Sequence, residues 1–242
     1  MKIVGITRIR NEESIIQETL DHYGQFCNSI YVYDDCSTDR TVDICRWHPK
    51  VKGIIQGKEW DEDRKRAEWQ TRQAILYMAK QENPDWIIYF DADERIDWDF
   101  KNFEEYDGVV MKLFDFYITD WDKFGRYSER EWLGCEYREI LMMFRNTPEV
   151  KYHMPDQRMA TLKDDAKLLH AGFVKHYGKA ISIGDWEKKC EYYSKHFPEP
   201  YKSKWESRKG KAVHTISDFG NPLIRWHEKE IRGIPLVDNY YV

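Results

Sequence analysis

Through the first hundred residues, short apolar runs alternate with segments whose apolar residues recur every three or four positions. Residues 2–7 (KIVGIT), 29–33 (SIYVY), 51–56 (VKGIIQ) and 86–90 (WIIYF) are the runs, each of a length suited to a β-strand. Between the first two, residues 12–26 place Ile16, Leu20 and Tyr23 at helical spacing, with Asn11 as the expected N-cap. Residues 38–47 predict a short helix. Residues 61–81 predict a long one, with Ala67, Thr71, Ala74, Ile75 and Met78 on one face, and Asn83-Pro84 ends it. Strands alternating with helices in this way predict right-handed βαβ crossovers and a parallel sheet. In such sheets ligands bind beyond the carboxyl ends of the strands. That rule places residues 7–11, Asp34-Asp35 and Asp91 to Asp93 on one rim.

Beyond residue 100 the pattern is less regular. Residues 108–116 (GVVMKLFDF), 140–144 and 171–177 predict strands, and 186–196 a helix. From Pro198 onward the recurring prolines and glycines (Pro200, Gly210, Gly220, Pro222, Gly233, Pro235) predict extended or looping chain. There is no internal repeat and no low-complexity linker.

The 242 residues suffice for one large domain, or a domain with an appendage, and a full core. Aromatics make up 15% of the chain while mean hydropathy is -0.80, a pairing that fits a soluble protein with aromatics in a core or along polar pockets. A formal charge of -5 argues against a general nucleic-acid binder, which needs a basic excess. The amino-terminal apolar stretch is too short for a signal peptide, and no run approaches the roughly 20 apolar residues of a membrane span. Five cysteines with no CxxC pair indicate neither a zinc knuckle nor a disulfide framework. The expectation is a cytoplasmic protein with reduced thiols.

Three segments of the rim carry candidate chemistry. Asp91-Ala92-Asp93, at the end of an apolar strand, offers two oxygen donors at a spacing that one turn can present to a single hard cation such as Mg²⁺ or Mn²⁺. A solvated turn has the same composition, so the motif alone is weak. "YVYDDCSTDRT", residues 31–41, repeats the device with Asp34 and Asp35, whose carboxylates can accept from a nucleobase N–H or a ribose hydroxyl. Asp39 is equally suited to cap the following helix. "TRIRNEE", residues 7–13, brings Arg8 and Arg10 to the end of the first strand, where guanidinium forks suit phosphate oxygens or neighbouring acids. Neither GxGxxG nor GxxxxGK[ST] occurs, so dinucleotide and P-loop readings lose their support.

In this order and spacing, Arg10 to Glu13, the DDxSTD segment from Asp34 to Asp39, and the DADE from Asp91 to Glu94 make the chain resemble family 2 glycosyltransferases. The resemblance covers about the first 100 residues. It implies an α/β GT-A fold, a Rossmann-like, mostly parallel sheet flanked by helices with an irregular carboxy-terminal acceptor side. It further implies an enzyme that transfers a sugar, a hexose or related unit, from a nucleotide diphosphate donor to a hydroxyl of a glycan or other glycoconjugate, using Mn²⁺ or Mg²⁺. Residues 1–100 would then be the nucleotide-sugar-binding half and 101–242 the acceptor-binding half with its extension. Carried over by position, Thr7 and Arg8 lie beside the base, with Arg10 near the nucleotide. Asp35 accepts from the pyrimidine with Asp34 in support, and Arg72 sits near base or phosphate. Asp91 and Asp93 hold donor and metal. The family's usual Gly after the Asp pair is Cys36 here. The resemblance also implies inversion, with one Asp or Glu as base. Asp156 in "YHMPDQRM" is favoured, Glu139 is the next choice, and Glu136 and Asp115 remain open, with an ordinary turn Asp paired to Arg158 as the plainer reading of Asp156. In "HAGFVKHYG", His170 and His176 lie six residues apart in an apolar setting; His176 resembles a histidine that related transferases bring to the metal or diphosphate and is the favoured one, with a packed, hydrogen-bonded core histidine as the alternative.

The segment 201–214 holds Lys202, Lys204, Arg208, Lys209 and Lys211, which could face a diphosphate, an anionic acceptor, or simply water. Trp121, Trp132 and Trp186 could stack on acceptor sugars. Two other readings stay open: a non-catalytic nucleotide-sugar binder, and a phosphohydrolase using a DxD aspartate. A nucleotidyltransferase would need a Gly-rich loop after the first strand, which is absent.

Overall fold

The computed structural model describes residues 1–61, 63–153 and 158–236. In chain order it contains β1 (Ile3–Ile9), α1 (Ile16–Gly24), β2 (Ser29–Asp34), α2 (Thr41–Trp47), β3 (Val51–Gln56) and α3 (Arg64–Lys80). There follow β4 (Trp86–Tyr89), β5 (Glu94–Asp97), β6 (Gly108–Phe116), β7 (Trp132–Arg145) and β8 (Leu168–His176). The chain ends with α4 (Ile183–His196), α5 (Tyr201–Glu206), β9 (Leu223–Arg225), α6 (Lys229–Arg232) and β10 (Ile234–Pro235).

Among the described residues, those within 1–111 and 140–172 form one compact unit, and those within 112–139 and 173–236 a second. The strands hydrogen-bond in the order β3-β2-β1-β4-β7-β6-β8-β5. Pairing is parallel from β3 through β4, with Ile9 opposite Asp34 and Ile6 opposite Tyr89, and turns antiparallel where Ile87 meets Phe144 of β7. The alternating strand–helix pattern therefore gives the parallel α/β sheet that it predicts. Trp86, Ile87, Ile88 and Tyr89 are all buried, as expected for a strand covered on both faces.

Helix α3 packs its face onto this sheet. Ala67, Thr71, Arg72, Ile75, Leu76 and Ala79 are buried, whereas Ala74 and Met78 are only half-buried. The buried stripe thus includes Arg72, Leu76 and Ala79, which the spacing rule left off its face, because a 3.6-residue repeat groups i, i+3, i+4 and i+7, the relation of residues 72, 75, 76 and 79. Ile75, Leu76 and Ala79 join Val4, Ile6, Ile87, Tyr89 and Phe144 in one apolar cluster. Across the other face, the Tyr23 and Phe90 rings stack 3.6 Å apart.

Two local expectations are corrected. Asn11 is not the cap of α1: the helix starts at Ile16, and Asn11 instead sits at φ 55 with its Oδ1 accepting from Thr38 N at 2.8 Å. Asn tolerates the left-handed region better than most residues, which suits it to this turn. The carboxy-terminal region is not merely looping, since it forms the short helices α5 and α6 and strands β9 and β10. In the second unit β9 pairs antiparallel and β10 parallel with β7. Trp186, a candidate for stacking on acceptor sugars, is instead 2% exposed and forms a core with Cys190, Trp205 and Ala212. No described helix is long and apolar enough to cross a membrane.

Candidate active site at the strand ends

Parallel pairing of β1 with β2 and β4 sets the carboxyl ends of three strands side by side. Asp34 and Asp35 end β2, Arg8 and Arg10 lie at the end of β1, and Asp91 to Glu94 form the turn after β4, where Glu94 N donates to Asp91 O at 3.1 Å. The register thus assembles the rim that the strand rule anticipates.

Each acid has a defined setting. Asp34 is buried, and its carboxylate accepts from Ser37 N at 3.2 and 3.3 Å, which shapes the turn. Asp35 is buried too, with Oδ2 accepting from Arg8 Nη2 at 2.7 Å. Arg10 Nη1 donates to Asp35 O at 2.6 Å and lies 3.3 Å from Cys36 O, and the guanidinium sits over the Trp60 ring. The turn they clamp contains Cys36 at φ 60, the conformation in which glycine is normally favoured. Asp39 Oδ1 accepts from Thr41 N at 2.9 Å, the helix-start role its position predicts.

A second layer was not visible in the motifs. Glu68 on α3 faces two guanidiniums, with Oε1 3.6 Å from Arg8 Nη1 and Oε2 3.1 Å from Arg72 Nη1. Arg72 Nε donates to the Tyr89 hydroxyl at 3.2 Å, and that hydroxyl donates to Asp91 Oδ1 at 3.0 Å. A chain of contacts therefore runs from Asp35 through Arg8, Glu68, Arg72 and Tyr89 to Asp91. Burial alone would lower the Arg72 pKa, but Tyr89, Glu68 and Asp91 outweigh it and the guanidinium stays charged. Burial pushes the Tyr89 phenol up to about 12, so it remains a hydrogen-bond donor at neutral pH. The Glu68–Arg72 spacing of four residues on a helix is the one sequence signal that could have revealed this layer.

Arg158 is the other missed residue. Its Nη2 lies 2.6 Å from Glu94 Oε2, and its Nε 3.5 Å from Asp91 Oδ2. Asp156, the favoured base, lies outside the described residues. Several buried polar atoms at the rim, Thr7 Oγ1, Arg8 Nε, Arg158 Nε and Arg158 Nη1, have no hydrogen-bond partner among the described residues. Buried donors in this state are rare in folded proteins and ask for a ligand or water.

The remaining expected residues belong to the second unit. His176 Nδ1 lies 2.5 Å from Asp115 Oδ1, a contact that fixes the orientation of the imidazole. Asp115 is also held by Arg138 and Lys179. Burial resists its ionisation, yet Arg138, Lys179 and His176 hold its carboxyl well below the usual range, which makes it a poor proton acceptor. Glu136 is buried and accepts from Ser217 Oγ at 2.8 Å and Asn221 Nδ2 at 2.6 Å, a structural setting. Glu139 is exposed on β7, and His170 is exposed on β8.

Among the described residues no three His, Cys, Asp or Glu side chains gather into a group able to hold a metal. Asp91 and Asp93 on one half-buried turn instead suit Mg²⁺ or Mn²⁺, which take one or two carboxylates and complete their shell with water and substrate phosphate.

Comparison with known proteins follows the same segments. The model of Glycosyl transferase family 2 matches residues 6–159. An uncharacterized protein of Mycobacterium bovis and one of Mycobacterium tuberculosis are each 34% identical over 104 residues, covering 41% of this chain and 25% of the relative. The match thus spans about a quarter of the length of those curated relatives. Among solved structures, a Desulfovibrio desulfuricans protein described as a nucleotide-diphospho-sugar transferase aligns over 86% of this chain and 96% of its own, at 9% identity and TM-score 0.42. Glucosyl-3-phosphoglycerate synthase of Mycobacterium tuberculosis, solved with UDP, aligns over 53% of this chain and 46% of its own, at 17% identity and TM-score 0.33. Mannosyl-3-phosphoglycerate synthase of Rubrobacter xylanophilus aligns over 54% of this chain and 45% of its own, at 18% identity and TM-score 0.30.

Proposed function

The chain belongs to glycosyl transferase family 2, and from that premise we propose that it moves a hexose or related sugar from a nucleoside diphosphate donor to a hydroxyl acceptor, with inversion. The observation that carries this reading is the strand-end rim. There, a parallel register brings Arg8, Asp35 and Asp91 together around buried donors that lack partners.

In this reading residues 1–100 take the donor and residues 101–242 the acceptor, a glycan or other glycoconjugate. Asp35, oriented by Arg8, accepts from the base, with Thr7 Oγ1 as a further polar contact and Asp34 holding the turn. Arg10 and Arg72 supply positive potential to the nucleotide side, where guanidiniums match phosphate oxygens. Asp91 and Asp93 would hold a Mn²⁺ or Mg²⁺, which would neutralise charge on the leaving diphosphate. A carboxylate, Asp156 or Glu139, takes the proton of the acceptor hydroxyl as it attacks the anomeric carbon.

The deciding experiment is thermal stabilisation by UDP, dTDP, GDP and CDP, each with and without Mn²⁺. A ligand that binds only the folded state raises its melting temperature by mass action. Metal-dependent stabilisation by one diphosphate supports the reading and names the donor class for turnover assays. Silence towards all four removes the donor site. Binding without turnover of any matching nucleotide sugar would favour a non-catalytic binder.

A further inference from the structure

The second unit carries a charged cluster that donor binding does not use. Lys179 stands at its centre, with Nζ 2.8 Å from Asp115 Oδ2 and 2.7 Å from Asp218 Oδ2. Arg138 Nη2 closes on Asp115 Oδ1 at 2.7 Å, and Arg208 Nη2 on Asp218 Oδ2 at 2.9 Å. Burial opposes the charge on Lys179, but Asp115, Tyr117 and Asp218 outweigh it and keep the ammonium protonated.

Two further groups share this neighbourhood. Lys204 on α5 has no carboxylate partner among the described residues, and partial burial with the Arg208 charge pushes its pKa down. Tyr201, one turn earlier on α5, feels both guanidiniums: burial raises its phenol, and Arg138 and Arg208 oppose that rise. Lys204 Nζ lies 5.6 Å from the centroid of the Tyr201 ring, the phenol on which the Arg138 and Arg208 charges also act.

The charges do not balance. Arg138, Lys179, Lys204 and Arg208 oppose only Asp115 and Asp218, so two positive charges remain with His176 counted neutral. Lys204 is exposed and the Arg138 and Arg208 side chains are 33% and 17% open to water, whereas Lys179 and Asp115 are 13% and 12% exposed, so the surplus cations stand at the accessible edge of the network. Each guanidinium spends one Nη2 on its carboxylate, which leaves further N–H groups of the fork for planar oxyanions.

We propose that this cluster is a binding site for an oxyanion, a phosphate or carboxylate group carried by the acceptor substrate. Asp115, Lys179 and Asp218 form its scaffold, while Arg138, Arg208 and Lys204 present the free donors. The word "acceptor" rests on the transferase reading above; oxyanion binding does not.

The test is calorimetric titration of inorganic phosphate and of citrate into the full chain, free of nucleotide and metal, against sodium chloride at matched ionic strength. Wild type is compared with Lys204→Gln, a surface change that breaks no ion pair and so spares the fold, and with Arg138→Gln. Saturable binding is expected in wild type, weakened about tenfold by Lys204→Gln, the scale of one lost charge-assisted hydrogen bond. Tighter binding of phosphate assigns a phosphorylated acceptor, and tighter binding of citrate a carboxylated one. The proposal is overturned by heats no larger than those of chloride, by unchanged affinity in Lys204→Gln, or by displacement of phosphate with metal-free UDP, which would give the cluster to the donor diphosphate. Failure of every nucleotide to bind would sink the donor reading while leaving the phosphate titration readable, so the two fail separately.

Discussion

Arg158 Nη2 lies 2.8 and 2.6 Å from the two carboxylate oxygens of Glu94, and the pair is almost wholly enclosed, with side-chain exposures of 15% and 2%. Glu94, the last acid of the DADE turn, is thus enclosed with an arginine from 64 residues later, while Asp91 and Asp93 are half-buried. Glu94 also accepts from Asp91 N at 3.1 Å, so the same carboxylate shapes the turn that presents Asp91.

Removing one member of such a pair leaves the other charge buried. Glu94→Ala is expected to destabilise the fold by about 3–5 kcal/mol, measured by urea denaturation at pH 7. A loss below about 1 kcal/mol would mean that Arg158 finds water or another partner without strain.

Asp93→Asn should behave in the opposite way. It lies half-buried in the turn, and asparagine keeps its size and shape, so the variant should leave stability within about 1 kcal/mol. Transfer should fall by on the order of 10²–10³-fold with loss of the Mn²⁺-dependent stabilisation by nucleotide. Full turnover in this variant would remove Asp93 from the metal site.

The contrast between Glu94 and Asp93 marks where the sequence stops speaking. The rim was legible because apolar runs of strand length fix where β1, β2 and β4 end, and parallel pairing then aligns those ends. What lies beneath was not. Arg158 reaches Glu94, and Arg8 reaches Glu68, through contacts far apart in sequence that no local period encodes; only the four-residue spacing of Glu68 and Arg72 hints at this layer. Asn11 looked like a cap because its type favours caps, but the chain turns once more before α1 begins and Asn11 ties that turn to Thr38 instead. Helix α5, six residues long, is too short for a helical period to register. Trp186 carries no sign in sequence of whether it packs inward or stacks on a ligand; α4 turns it into the core.

Asp115 makes a pH-dependent prediction. Its pKa in the fold is held well below the ordinary 3.8, so the stability it contributes is fully present above about pH 5 and is lost as pH falls through its folded value. Asp115→Asn should therefore be less stable than wild type by several kcal/mol at pH 7, about 3–5 by analogy with other broken buried pairs. The gap should narrow steadily below pH 4. Urea midpoints at pH 7, 5 and 3 check this, and a gap that stays constant across them would mean that Asp115 titrates normally.

Cys36 occupies the place where the family's usual residue is glycine, and its backbone lies at φ 60. A side chain there costs of order 1 kcal/mol or more in strain, whereas glycine adopts the same conformation freely but gains entropy in the unfolded chain. The two terms nearly cancel, so Cys36→Gly should change stability by no more than about 1 kcal/mol and keep nucleotide binding, because Arg10 still clamps the carbonyls of residues 35 and 36. Cys36→Val should cost about 1–3 kcal/mol and weaken nucleotide binding, since a β-branched residue resists positive φ and must drag the Asp35 turn with it. Thermal melts of the two variants with and without the stabilising nucleotide separate these outcomes. Equal stability of the Val and Gly variants would show that the turn relaxes out of the left-handed region and that Asp35 is not held by its backbone.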